Sequence, residues 1–427
     1  MGANLGTLSQ ILKEYYLGPV TEQLNNEVLL LSRLESKSED LVGKRAYVPL
    51  HYGRSTGVGA RGEGEALPSA GKQSYEKAVY DLKYLYGRVE VTGPSMAKTK
   101  NEAGAFLQAL KSELDGVRND LKKDLARQVY GDGTAKIAVG TAGSTTTLTV
   151  STEPIRKGQI YPGMLVDIFD VSALTTAATY TGIEVQSANL STGVVTFTTT
   201  LAGALASGDY IVRAGVALGS NNEASTYSKS DEVDGLQRIV DVATSNSLGG
   251  IDVTATQNTW WDNQRLVASS GDFDSATAGT QGLSMSLIQQ GLNKARIAGG
   301  TPTSIITSLG VQREFYNLMT TYVRYVEPQN HSYSAGFKTL DYQGMPVVAD
   351  IDAPYGKMYI LDESTIKVFS DQDWHFLDAD GLTLRQVAGR DKFEAVLARY
   401  MNLGATRRNN QIVISGIYVD GAADAGF

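Results

Sequence analysis

Residues Gly53 to Gly71 read GRSTGVGARGEGEALPSAG, and within them Gly57, Gly59 and Gly62 spell G-x-G-x-x-G. A loop that cradles a pyrophosphate needs a buried strand before it and a helix starting at its last glycine. Neither flank fits. KRAYVPLHY (Lys44 to Tyr52) alternates polar and apolar residues and carries Pro49, the pattern of an exposed or edge strand. EGEALPSAGKQ, downstream, puts a glycine, a proline and another glycine where the helix would run. The stretch is instead the flexible tip of a long hairpin. Its outgoing strand is Lys44 to Tyr52 and its return is Gln73 to Thr92, which places Tyr80, Leu82, Tyr84 and Tyr86 on one face at period two. Each arm spans tens of ångströms at about 3.3 Å per residue. A ribbon of that length cannot bury itself in one small domain, so it is expected to lean on a partner.

The chain around this hairpin has 427 residues, room for two or three domains, with 42% hydrophobic and 20% charged residues. No apolar run is long enough to span a membrane. The opening MGANLGTLSQILKEYYLG lacks the basic and apolar regions of a secretory signal, and Gly6 breaks a myristoylation match. Without cysteine there is no disulfide or thiolate metal site, which fits folding in a reducing cytoplasm. A formal charge of -8 argues against a general nucleic-acid binder. Its distribution is uneven. Lys44 to Val91 carries eight basic and five acidic residues, whereas Asp341 to Asp380 carries nine acids against Lys357 and Lys367. Such runs are commonly solvated surface; the sharper reading is self-complementarity between copies of the chain.

Residues 1–43 form an arm, with one helical stripe at Leu8, Ile11, Leu12, Tyr15 and Tyr16 and another at Leu24, Val28, Leu31 and Leu34. Thr99 and Glu102 make a capping box that opens a long helix closing at Gly131. Leu107, Leu110, Leu114, Val117, Leu121 and Leu125 give this helix a single apolar stripe, so it is expected to lie across a sheet; a coiled coil is the other reading. From Lys136 to Gly219 five or so short, threonine-rich strands without helix predict an inserted small barrel or sandwich. Helices are expected at Leu283 to Ala298 and Val311 to Tyr322, followed by strands that end in Phe393 to Tyr400 and Gln411 to Val419.

No catalytic motif stands out. His51, His331 and His375 share no metal-ligand spacing, and neither a nucleophile elbow nor a P-loop is present. DADG at Asp378 to Gly381 lacks the later ligands of a calcium loop and reads as a turn. Trp260 and Trp261 could stack on a sugar or base, but a packed aromatic pair is the simpler reading. No enzymatic activity and no cofactor or metal is expected.

The order of these parts resembles the major capsid protein of tailed bacteriophages, with the Hong-Kong-97-type fold. That family has an N-terminal arm, an extended E-loop hairpin, a long spine helix in a peripheral domain, and a central axial domain. LSMSLIQQGLNKAR, TSIITS, LDYQGMPVVADID, GKMYILDEST and KFEAVLARYMNLGATRRNNQIVISGI follow the order of its carboxy half. The resemblance implies an α+β fold divided as arm (1–43), E-loop hairpin (44–92), peripheral domain with spine helix (93–135), β-rich insertion (136–219), axial domain (220–355) and peripheral return strands (356–427). It also implies pentamers and hexamers in an icosahedral shell, assembled in the host bacterial cytoplasm and enclosing double-stranded DNA without sequence-specific binding. No scaffold-like coiled coil precedes the arm, so a separate scaffolding protein is implied, with a portal and, left open, a decoration protein. The expected assembly contacts are Arg54, Gly57, Gly59, Arg61, Gly62, Lys72 and Lys77 on the hairpin, resting on an acidic neighbour at Asp371 and Asp373. An encapsulin-like nanocompartment shell is the alternative on the same fold; a carbohydrate-binding or enzymatic module near Trp260 is the alternative outside it.

Overall fold

The computed structural model describes residues 28–37, 41–43, 45–94, 103–170, 178–216, 230–241, 247–253, 255–268, 282–322, 340–378 and 385–417. The first arm stripe, the Thr99–Glu102 capping box and His331 lie outside them.

Polar–apolar alternation does what the hairpin reading requires at its base. Arg45–Gly53 pairs antiparallel with Ser74–Asp81, burying Ala46, Val48 and Leu50 on one face opposite Ala78 and Tyr80. Leu41–Val42 adds a third strand beside Arg45 and Ala46 only, so Pro49 sits where the outgoing strand has a neighbour on one side. A residue without an N–H is tolerated there. The base leans on its own chain. The amide of Val79 donates to Gly249 O at 2.9 Å, Tyr52 stacks on Trp260 at 4.6 Å, and the Tyr80 hydroxyl donates to Ala405 O at 2.8 Å. Trp261 is buried and donates to Leu248 O at 3.2 Å, so the tandem tryptophans serve packing.

The return arm departs from expectation. It is two strands, Ser74–Asp81 and Lys83–Thr92, and the alternation changes phase between them. Tyr80 and Leu82 are buried, then Lys83, Leu85, Gly87 and Val89 point inward and Tyr84 and Tyr86 outward. The cause is a change of sheet. Lys83–Thr92 leaves the hairpin and pairs with Lys392–Ala405 over ten residues, from Lys83↔Met401 to Thr92↔Lys392.

That pairing builds the peripheral sheet. Lys392–Ala405 lies between Lys83–Thr92 and Ile366–Phe376, and Glu35–Lys37 adds a parallel outer strand. Of the second arm stripe, Leu24 lies outside the described residues and the rest enters the same core: the single-turn helix Leu29–Arg33 buries Leu30 and Leu31, flanked by buried Val28 and Leu34. The long helix runs over Ala103–Tyr130, about 42 Å at 1.5 Å per residue. Leu114, Leu121 and Leu125 face the sheet. Gly87 permits their close approach, since a Cβ there would lie 2.5 Å from Leu121 Cδ1.

A second, six-stranded sheet runs in the order Gln264–Val267, Ile412–Ser415, Met358–Leu361, Ser304–Thr307, Met345–Ala349, Leu340–Tyr342. Helix Met285–Ile297, capped by Ser284 Oγ accepting from the Leu287 amide at 3.2 Å, packs on it with Leu309–Tyr322. The boundary expected at 355/356 is not where the sheets divide. Met358–Leu361 and Ile412–Ser415 belong to this central sheet, and only the intervening strands cross to the peripheral one. The fully buried MYIL and IVIS suit central strands covered on both faces.

Strands from Ala138 to Arg213 close into a separate six-stranded barrel around Leu148, Val166, Ile168, Val185, Val195 and Ile211. The insertion was expected to lack helix, yet Thr152–Arg156 forms one turn, with Glu153 in its first turn and buried Pro154 and Ile155. A closed barrel has no unpaired edge and its own core. Residues 136–216 expressed alone are therefore expected to unfold in one cooperative thermal transition; an unfolded circular-dichroism spectrum would show that the barrel needs the body.

Candidate assembly surface

The hairpin tip is the most exposed part of the described chain. Residues 54–73 form neither helix nor strand, and Val58 and Leu67 are 86% and 85% exposed. No helix follows Gly62, so no phosphate cradle exists there. Two glycines close the neck of the tip: a Cβ on Gly57 would lie 3.0 Å from Gly71 N and Ser69 O, and one on Gly71 2.6 Å from Thr56 N. Gly62 donates to Glu65 Oε2 at 3.0 Å, and Gly64 turns the chain at φ +81°. Gly59 has no comparably close neighbour. Arg54, Arg61, Lys72 and Lys77 are all exposed, and none has a carboxylate partner among the described residues; Lys77 Nζ stands 5.9 Å from the Tyr47 ring.

A second exposed surface is the outer face of the peripheral sheet. The phase change at Leu82 puts Tyr84 and Tyr86 outward, 49% and 54% exposed. Both meet Tyr400 edge-on, at 5.2 and 6.3 Å, and His375 meets Tyr400 at 5.4 Å. Burial, then the neighbouring Tyr400, holds the Tyr86 phenol above its ordinary value, so it stays neutral. Arg88, Glu90, Lys392 and Glu394 form an ion ladder beyond the tyrosines, with Arg88–Glu394 at 2.7 Å and Lys392–Glu90 at 3.1 Å. Hydrogen bonding from Lys392, then the Arg88 charge, keeps the Glu90 carboxyl below the usual range.

The acidic run does not form one patch. Asp350 accepts from the Tyr130 hydroxyl at 2.7 Å, Asp362 is buried and accepts from Asn410 Nδ2 at 2.9 Å, and Glu363 pairs with Arg33 and Ser304. Asp341 lies on the edge strand of the central sheet, and Asp380 lies outside the described residues. Asp371 and Asp373 remain as the exposed pair. Irregular register on either side of Gln372 bulges this stretch outward beside Tyr400. Asp373 also stands 3.6 Å from Arg399. The structure thus joins two of the expected contact residues to a platform of Tyr84, Tyr86 and Tyr400, and it parts Tyr84 and Tyr86 from Tyr80 and Leu82, with which the alternation groups them on one face.

Among the described residues no group of three or more His, Asp or Glu side chains could hold a metal ion. None of their helices is long and apolar enough to cross a membrane.

No family model and no curated protein matches the chain. Solved structures do. A chain of the Mycobacterium phage Bobi structure aligns at 11% identity over 90% of this chain and 89% of its own, with a TM-score of 0.42. The holo-SrpI encapsulin complex of Synechococcus elongatus aligns at 8% identity over 92% and 89%, with a TM-score of 0.43. The Cyanophage A-1(L) capsid asymmetric unit aligns at 15% identity over 93% of this chain and 92% of that chain, with a TM-score of 0.53. Hairpin, long helix, two sheets and inserted barrel together therefore make up the α+β fold of a phage capsid subunit.

Proposed function

We propose that this chain is the major capsid protein of a tailed bacteriophage and builds the icosahedral shell that encloses its double-stranded DNA. The fold likeness to the cyanophage capsid chain over nearly the whole length carries the reading. Two exposed, chemically complementary surfaces support it: a basic, apolar-tipped loop and a tyrosine platform flanked by Asp371 and Asp373. In pentamers and hexamers the tip of one subunit rests on the platform of the next. Gly57, Gly59 and Gly62 give the tip the freedom to bend differently at non-equivalent positions. The acidic net charge suits a shell that encloses DNA without gripping it. A separate scaffolding protein and a portal complete the assembly in the host cytoplasm, and the virion is where the chain resides.

Each exposed ion pair contributes a few tenths to about 1 kcal/mol. Every subunit repeats the contact, so small terms accumulate. The double variant R61E/K72E is expected to stay folded and to assemble with strongly reduced yield, read by sedimentation. Added salt should weaken the same contact in the parent, because exposed charges are screened beyond about 8 Å at physiological ionic strength. Unchanged assembly of the double variant would mean that the tyrosines and the backbone, not charge, hold the tip.

A further inference from the structure

Among the described residues the barrel meets the body at its two chain crossings, at the Arg213–Asp124 pair, 3.5 Å apart, and at a built joint. The incoming crossing turns at Gly133 and Ala135, both left-handed at φ +71° and +68°, and the outgoing one at Gly215, φ +80°. The joint is centred on Lys157, just after the barrel helix Thr152–Arg156. Its buried ammonium donates to Glu153 Oε1 at 2.7 Å, Ala353 O at 2.8 Å and Asp352 O at 3.2 Å, and stands 4.8 Å from the Tyr355 ring. Glu153 Oε1 also accepts from the Tyr355 amide at 3.1 Å. A barrel side chain thus grips the backbone of a body turn, residues 350–355.

On the body side of that turn, Asp350 uses both oxygens. One accepts from the Tyr130 hydroxyl at 2.7 Å and the other from the Asp352 amide at 3.0 Å. The Asp352 carboxyl itself has no hydrogen-bond donor among the described residues, is half-buried, and faces a second carboxylate. Lys157 reaches it from the barrel, and Lys122 and Lys123 from the long helix. Glu153, Tyr130 and Tyr355 are the other titratable groups at the joint.

We infer that the turn 350–355 is a proton-operated latch that sets how tightly the barrel is held against the body. Burial, then the Asp350 charge, lifts the Asp352 carboxyl to about 6 against the pull of the lysines. With the barrel undocked and the turn hydrated, the same carboxyl returns toward 3.8. The docked form therefore binds more protons between these values. Docking is weakest above pH 7 and strengthens as pH falls toward about 4, by up to ~100-fold in the docking equilibrium.

The chain has no cysteine, so two can be introduced cleanly for spin labels, at exposed Ser191 on the barrel and at Ile297 on the body, which is 87% exposed. S191C/I297C, diluted in unlabelled chain, is expected to give a broad distance distribution at pH 8 and a narrow one at pH 5. Asp352→Asn, which mimics the protonated carboxyl, should be narrow at both; Lys157→Met should be broad at both. A parent distribution of equal width at the two pH values would overturn the latch. So would a pH response that persists unchanged in Asp352→Asn, since the proton would then act elsewhere.

Discussion

Arg127→Met is expected to destabilise the subunit by about 3–5 kcal/mol, the cost of leaving buried carboxylates without their cation. Arg127 lies near the end of the long helix and forms a fork with Glu232, its Nη1 3.0 Å from Glu232 Oε2 and its Nη2 against Oε1. The same Nη2 lies 3.1 Å from Asp124, which also accepts from Gln128 Nε2 at 2.8 Å and faces Arg213 of the barrel at 3.5 Å. One guanidinium thus joins the helix to the segment leading into Leu236–Val240, while Asp124 reaches the barrel. Methionine keeps the length of the side chain and removes the charge, so two carboxylates remain in a site that water barely reaches. Denaturant unfolding should show the loss as a lowered midpoint, and R127M/E232Q should recover part of it because an amide carries no charge to strand. A loss below about 1 kcal/mol for R127M would place the network in solvent-like surroundings. The pH dependence follows from the same group. Burial opposes the charge on Asp124, yet Arg127 and Arg213 together hold its carboxyl below the ordinary 3.8. Its contribution is present above about pH 4 and is lost as pH falls through the lower, folded value.

Gly235→Val is expected to cost about 3 kcal/mol or more, through overpacking. The position has φ -94° and ψ -177°, a conformation open to any residue, so glycine is needed for space alone. A Cβ there would lie 2.3 Å from both Gln128 O and Gly131 O and 2.6 Å from Gly131 N. These are backbone atoms at the end of the long helix, and no rotamer change can move them. Gly235→Ala should therefore cost most of what valine costs. Thermal unfolding of both variants checks this; an alanine variant with the parent's midpoint would mean that the helix end yields without penalty.

What was legible in the sequence is what local pattern controls. The alternation of Arg45 to Leu50, the three-and-four spacing of Leu114, Val117, Leu121 and Leu125, and the apolar pattern from Leu283 to Ala298 each marked an element before any tertiary context. Leu82 shows the limit. Tyr80, Leu82, Tyr84 and Tyr86 read as one face, but the sheet that captures Lys83–Thr92 is supplied by residues 392–401, three hundred positions away. Charge misled for a related reason. Asp350, Asp362 and Glu363 read as surface, whereas each has a distant donor that satisfies it inside. Lys83, bonded to Ser230 O, and Arg408, donating to Ile239 O at 2.9 Å, are likewise buried cations that composition alone assigns to solvent. The candidate site was half legible. Its basic tip was read from glycine and charge, but the bulge that brings Asp371 and Asp373 beside Tyr400 depends on strand register.

Negative-stain electron microscopy of the purified chain at micromolar concentration tests the central claim most directly. The account predicts closed shells, or rings of five and six subunits, with R61E/K72E shifted toward free subunits. A uniform field of folded 45.7 kDa monomers, unchanged across concentration, would contradict it.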